Sequence, residues 1–276
     1  MPKVIATDLD GTLFYPKDKN NMIPPTNLYF LQSFIDDGGE VILISGRSWE
    51  FCKKTINKIG RKVSAITFNG GCVFDGEKII KKETIDNDVA VKIIKDVFEE
   101  FHNTGVFLMT ERGLEVKLKY KSKLMRNIYR AYYRGQKALA ENYIDGYDIF
   151  DDELKNGTIY KFMLFFGIGK KNMKRAGEVC KILRERYDHV EANWSDNVIE
   201  ITGKGVHKAD SLIELCKLKG YNPEDVMVVG DSGNDISMFK AFPENSFCME
   251  HSSPDVKKYA KYTLAKFEDL CRYISK

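Results

Sequence analysis

Short apolar runs alternate with helix-patterned stretches toward both ends of the chain, and this rhythm predicts most of the architecture. Val4-Ile5-Ala6-Thr7, Val41-Ile42-Leu43-Ile44, residues 65–68 and Val226-Met227-Val228-Val229 are continuous apolar runs bounded by turn residues. Runs of that kind predict parallel strands covered on both faces, where neither side of a strand meets water. Between the first two, Leu28, Leu31, Phe34 and Ile35 recur at helical spacing over 26–37, and Gly38-Gly39 closes the segment. Further helices are predicted over 48–59, 208–219 and 235–240.

The middle of the chain follows another pattern. Helices are predicted over 89–101, 123–143 and 170–187, with strands at 106–110, 114–120, 159–166, 190–194 and 198–202. Leu114, Val116, Leu118 and Tyr120 alternate with polar residues, as a strand with one wet face should. Residues 145–156 are acidic and read as a loop. Half-exposed strands with helices on one side predict an α+β insert. The expected organisation is an α/β core with a parallel sheet, built from 1–85 and 197–276 and interrupted by an α+β domain at 86–196.

Composition narrows the function classes. The 276 residues are 43% hydrophobic with a net charge of +3, which suits a soluble globular protein and is too little charge for a nucleic-acid or membrane-surface footprint. The first apolar run is cut by Asp8 and Asp10, so neither a signal peptide nor a membrane span is predicted. Six cysteines stand far apart with no CxxC pair, and only four histidines accompany them. Reduced, mostly buried thiols in a cytoplasmic protein are expected, without a zinc cluster.

The candidate chemistry lies at the ends of the predicted core strands, where open α/β sheets bind ligands. Asp8-Leu9-Asp10-Gly11-Thr12 follows the first strand. Carboxylates two positions apart on extended backbone point to one side, and they repel unless a cation or proton lies between them. Ser45-Gly46-Arg47 after the second apolar run offers a hydroxyl and backbone N–H groups to an anion, or serves as turn and cap chemistry. Gly230-Asp231-Ser232-Gly233-Asn234-Asp235 suits a hard cation, or a glycine-rich turn that caps a helix. Lys208, opening a helix, is placed to neutralise phosphate charge, although alone it reads as a surface lysine.

Taken in this order, the four motifs resemble those of the haloacid dehalogenase superfamily of phosphohydrolases. An insert between the serine and lysine motifs resembles the type IIB cap of the Cof-like sugar-phosphatase group. The resemblance implies a Rossmann-like core and a Mg2+-dependent phosphatase acting on a small phosphorylated metabolite, most readily a sugar phosphate. It implies that Asp8 is the nucleophile and Asp10 the acid/base. Asp8, Asp10, Asp231 and Asp235 are the implied metal site, while Leu9, Ser45, Gly46, Lys208 and Asn234 are the implied phosphate-binding set. Ala209, Glu250-His251-Ser252 and Glu268-Asp269-Leu270 depart from the family pattern near the site, leaving the catalytic positions intact. A phosphomutase of the same superfamily is the enzyme alternative. A metabolite sensor that retains the fold without turnover is a further one. The sequence does not specify an oligomeric state.

Arg126, Arg130 and Arg134 recur every fourth residue and stack on one face of the helix predicted there. Either they draw anionic substrates, or they form a solvated basic face with Tyr129 and Tyr132 packed beneath. His207 and His251 are expected to be bystanders, since Asp10 already fills the acid/base role.

Overall fold

Every residue of Val4–Thr7 (β1) is buried. A strand with no wet face needs neighbours on both edges and cover on both sides. The computed structural model supplies both, and describes residues 2–111, 116–120, 122–141, 143–195 and 197–274. After β1 come α1 (Pro25–Asp36), β2 (Glu40–Ile44), α2 (Trp49–Ile59), β3 (Ser64–Thr67), β4 (Cys72–Asp75) and β5 (Lys78–Lys82). Next are α3 (Asn87–Glu99), β6 (Gly105–Thr110), β7 (Val116–Tyr120), α4 (Lys123–Arg134), β8 (Tyr143–Asp145) and α5 (Tyr147–Asn156). They are followed by β9 (Ile159–Phe165), α6 (Lys170–Arg186), β10 (Val190–Ser195) and β11 (Val198–Gly203). The chain continues through α7 (Lys208–Lys219), β12 (Val226–Gly230), α8 (Ile236–Ala241), β13 (Ser246–Met249) and β14 (Tyr262–Leu264).

Two units result: Met1–Lys81 with His207–Lys276, and Lys82–Val206. The first holds an eight-stranded sheet in the order β14-β13-β12-β1-β2-β3-β4-β5. Its pairings are parallel from β14 through β3, and β4 turns back antiparallel on β3. On one face Val4, Ala6, Ile42, Ile44, Val226 and Val228 pack with Leu212 and Leu215 of α7 and with Met238 and Phe239 of α8. The helices α1 and α2 pack against β2 and β3. Local signals set the helix ends. Ser48 Oγ accepts the Phe51 N–H at 3.3 Å to start α2, while Gly60 at φ 67° and Gly220 at φ 75° stop α2 and α7 in the left-handed region that glycine adopts freely.

The second unit is a six-stranded sheet in the order β10-β11-β9-β6-β7-β8, antiparallel except for the β7–β8 pair. Val106, Leu108, Phe162, Leu164, Ile199 and Ile201 point to one side, where α3, α5 and α6 cover them through Ile93, Val97, Phe150, Leu154, Val179 and Leu183. On α4, Tyr129 packs among Phe107, Tyr120 and Phe165, with centroids 4.9–5.8 Å away. Tyr132 is 59% exposed.

Several expectations change. The acidic segment 145–156 contains α5, because Phe150 and Leu154, four residues apart, bury one face beneath the aspartates. The long helix expected over 123–143 stops at Arg134, before Gly135 and Lys137 at φ 53°, and β8 occupies its end. The strand β11 pairs with β9 and β10, so the boundary expected after residue 196 falls after Val206. The start of the strand expected at 114 lies outside the described residues. The six cysteine thiols form no disulfide with one another, and five of them are buried. Among the described residues no helix is long and apolar enough to cross a membrane.

Candidate active site

Register builds the site. Thr7 pairs with Val229 on one side and Leu43 on the other, so the residues following β1, β12 and β2 leave the sheet at the same edge. The Asp8 N–H donates to the Val229 carbonyl at 2.9 Å, extending the ladder by one residue and fixing the first carboxylate. Asp8, Asp231 and Asp235 then each offer an oxygen within 4.8 Å of the others. Lys208, at the start of α7, reaches between two of them: its Nζ lies 2.6 Å from Asp8 Oδ1 and 2.7 Å from Asp235 Oδ1. Lys208 is 1% exposed and Asp235 fully buried, so this ion pair lies out of water.

Three carboxylates face one ammonium, and full ionisation leaves two negative charges uncompensated. The energetics follow from that count. Burial pushes the Asp8 carboxyl well up, and Asp235 and Asp231 add to the rise against the pull of Lys208. Asp231 is pushed up to about 7, first by burial and then by Asp235. Burial disfavours the Lys208 ammonium, yet Asp235 and Asp8 outweigh it and hold its pKa above the usual lysine range. Such a group of oxygens suits a hard divalent cation, which would supply the missing positive charge.

Asp235 fixes more than Lys208. Its Oδ2 accepts the N–H groups of Asp231 and Ser232, both at 3.0 Å, which ties the loop after β12 into its turn. Gly11 lies opposite at φ 81°, and a Cβ there would stand 2.2 Å from Asp231 Oδ2. Gly11→Ala is therefore expected to displace the Asp231 carboxylate as well as to cost about 1–2 kcal/mol of left-handed backbone strain. Weakened divalent-cation binding by calorimetry, with a lowered unfolding midpoint, checks this, and unchanged binding would contradict it.

The remaining expected residues take distinct places. Asp10 lies outside the three-carboxylate group and pairs with Arg47, Nε donating to Oδ2 and Nη2 to Oδ1, both at 2.6 Å. Partial loss of hydration raises the Asp10 carboxyl, but the Arg47 guanidinium and Lys208 overcome this and hold it below its ordinary value. Ser45 is buried, and its Oγ accepts the Arg47 N–H at 3.2 Å across Gly46. Leu9 is buried, its carbonyl accepting the Phe14 N–H. Asn234 receives a bond from Ser232 Oγ at 2.8 Å and donates to Asn69 Oδ1 at 3.5 Å.

The sequence reading gave no role to four neighbours of the site. Arg47 was visible within Ser-Gly-Arg, and Asn69 at a strand end, but neither spacing announced a partner. Thr12 Oγ1 donates to Asp231 Oδ1 at 3.5 Å. His251, expected as a bystander, has Nε2 3.6 Å from Asp231 Oδ2 and stacks on Tyr15 at 4.1 Å. Burial and Lys257 hold its pKa below the ordinary value.

A parallel sheet with acidic strand-end loops and an α+β insert after β5 defines a hydrolase of the haloacid dehalogenase type. The sequence model of haloacid dehalogenase-like hydrolases matches residues 5–269, and the chain belongs to that family. Among characterised relatives, it is 25% identical to the 5-amino-6-(5-phospho-D-ribitylamino)uracil phosphatase YcsE of Bacillus subtilis, over 86% of this chain and 80% of that protein. It is likewise 25% identical to the phosphatase of the same description, YbjI, from Escherichia coli, over 94% and 89% of the two chains. A haloacid dehalogenase-like hydrolase from Bacteroides thetaiotaomicron has the same fold, with a TM-score of 0.77 at 20% identity over 99% of this chain and all of that one.

Proposed function

We propose that this protein is a Mg2+-dependent phosphatase that hydrolyses small phosphorylated metabolites, sugar or polyol phosphates foremost, through an aspartyl-phosphate on Asp8. The observation that carries the reading is the buried Lys208 shared between Asp8 and Asp235 beside Asp231. The names of the relatives, phosphatases of a phosphoribityl compound, support the substrate class.

We assign Asp8, Asp231 and the Asp10 carbonyl as the Mg2+ ligands. Both oxygens of Asp235 already accept protein donors, so its part is to hold Lys208 and the loop next to the ion. Bound there, Mg2+ supplies charge neutralisation for the transferring phosphoryl group. The protein groups do the rest. An Asp8 oxygen attacks phosphorus and the ester P–O bond breaks, while Asp10, protonated as the anionic ester enters beside its Arg47 pair, gives that proton to the departing alkoxide. Asp10 then takes a proton from water as that water attacks the phosphoryl-aspartate, releasing inorganic phosphate and the Asp8 carboxylate. Lys208, Ser45, Asn234 and the backbone at Leu9 and Gly46 orient the phosphoryl oxygens. Substrate selection we assign to the insert, Lys82–Val206.

Phosphate release from a panel of phosphomonoesters, with and without Mg2+, tests the reading. Metal-dependent release that Asp8→Asn reduces below detection is expected. Release that survives Asp8→Asn overturns the mechanism, and isomerised product without free phosphate would replace the phosphatase with a mutase.

A further inference from the structure

Resting on the phosphatase reading, we propose that Arg47 is a positioning residue for Asp10, holding the acid/base carboxylate where it meets the leaving oxygen of the substrate. The pair is fork to fork, with both guanidinium contacts at 2.6 Å. The Asp10 side chain is 49% exposed, so packing alone does not fix its rotamer. Arg47 is anchored on three sides. Its N–H donates to Ser45 Oγ at 3.2 Å, its carbonyl accepts the Phe68 N–H at 3.1 Å, and its guanidinium carbon lies 4.5 Å from the centre of the Phe51 ring. Phe51 is 1% exposed in the first turn of α2, and its N–H is the one that the Ser48 cap binds. Order built from the ends of β2 and β3 and from α2 thus reaches a carboxylate on the loop after β1.

The chemistry asks for that arrangement. An acid acts through one oxygen, which must come within about 2.6–3.2 Å of the group it protonates. In the observed pair both Asp10 oxygens receive an N–H, so one contact opens when substrate enters while the other remains as a pivot. Arg47 touches no reacting atom in this role. Lysine, a point charge on a flexible stem, cannot reproduce the two-point grip.

Two esters separate positioning from plain structural support or phosphate binding. An alkoxide such as that from glycerol phosphate needs a proton as it leaves, whereas p-nitrophenolate departs as a stable anion. Comparing kcat/KM confines the measurement to steps through formation of the phosphoryl-aspartate, so the later water step does not enter. Arg47→Ala is expected to lower kcat/KM for glycerol phosphate by about 100-fold, the low end of what a general acid contributes. For p-nitrophenyl phosphate the loss should be only a few-fold, with Arg47→Lys between the wild type and the alanine variant on the alkyl ester. Equal losses on the two esters overturn the proposal, because they place Arg47 on the shared phosphoryl group or in the fold. Undiminished kcat/KM on both overturns it too. Absence of release by the wild type from either ester brings down the phosphatase reading itself, and the positioning role with it.

Discussion

Lys208→Met is expected to lower the stability of the metal-free protein by about 3–5 kcal/mol and to cut turnover by at least about 100-fold. Methionine keeps the length of the side chain but removes the charge. What remains is a pair of carboxylates, Asp8 at 5% and Asp235 at 0% exposure, that have lost the ammonium lying 2.6 and 2.7 Å from them. A buried ion pair adds little net stability when whole, yet removing one partner strands the other in a medium that solvates it poorly. The second variant follows from this. In Lys208→Met/Asp235→Asn one of the stranded charges is gone, so the double substitution should recover much of the lost stability while turnover stays low. Urea unfolding in chelator reads the stability, and the two changes should be strongly non-additive. A Lys208→Met protein within about 1 kcal/mol of the wild type, less than the ordinary cost of leaving a buried group unsatisfied, would mean that the ammonium does not hold the site together.

The strand ends were legible because hydrophobic patterning and chemistry coincided there. Continuous apolar runs located β1, β2 and β12, and the polar residues directly after them are the ones that parallel register brings to one edge. Lys208 was weaker in sequence, since a lysine opening a helix is ordinarily solvated. Its burial depends on Asp8 and Asp235, which lie 200 and 27 residues away. Arg47 and Asn69 were hidden for the same reason: each matters through a partner on another strand loop, and no local spacing encodes such a pairing.

Misread elements were those whose local pattern competed with the tertiary one. Asp148, Asp151 and Asp152 made 145–156 look like a loop, whereas Phe150 and Leu154 were enough to seat α5 on the sheet. The short strand Ser246–Met249 carries too little periodicity to declare itself, and it exists because β12 and β14 flank it. The insert ends later than expected because β11 is continuous in hydrogen bonding with β9, a pairing partner more than 30 residues upstream of it. Half-buried alternation did reveal the character of that sheet, with Ile199 and Ile201 inward and Glu200 between them.

Mg2+ binding at about pH 6 is expected to release at least about one proton, and fewer as the pH rises past about 7. The source is Asp231, pushed up from 3.8 to about 7 by burial and by Asp235, with Lys208 and the Thr12 bond pulling the other way too weakly to prevent it. The sign follows from linkage. A carboxyl whose pKa is raised on folding leaves the metal-free fold at full stability below about pH 4 and costs it progressively as the pH climbs to about 7. Complete loss of that contribution is roughly 4 kcal/mol at 1.36 kcal/mol per unit. A cation binds the ionised form and reverses the dependence. Metal affinity should rise at least about tenfold per pH unit up to about 7 and less steeply above it, since the upward shift of Asp8 acts in the same direction. Calorimetry in two buffers of different ionisation enthalpy counts the protons. Thermal unfolding from about pH 5 to 8 should show the metal-free protein weakening while the Mg2+-saturated protein does not. Asp231→Asn should remove most of the release together with much of the binding. Affinity that stays flat below pH 7, without proton release, would show that the carboxylates are already ionised before the metal arrives, and the charge count at the heart of the site would have to be redrawn.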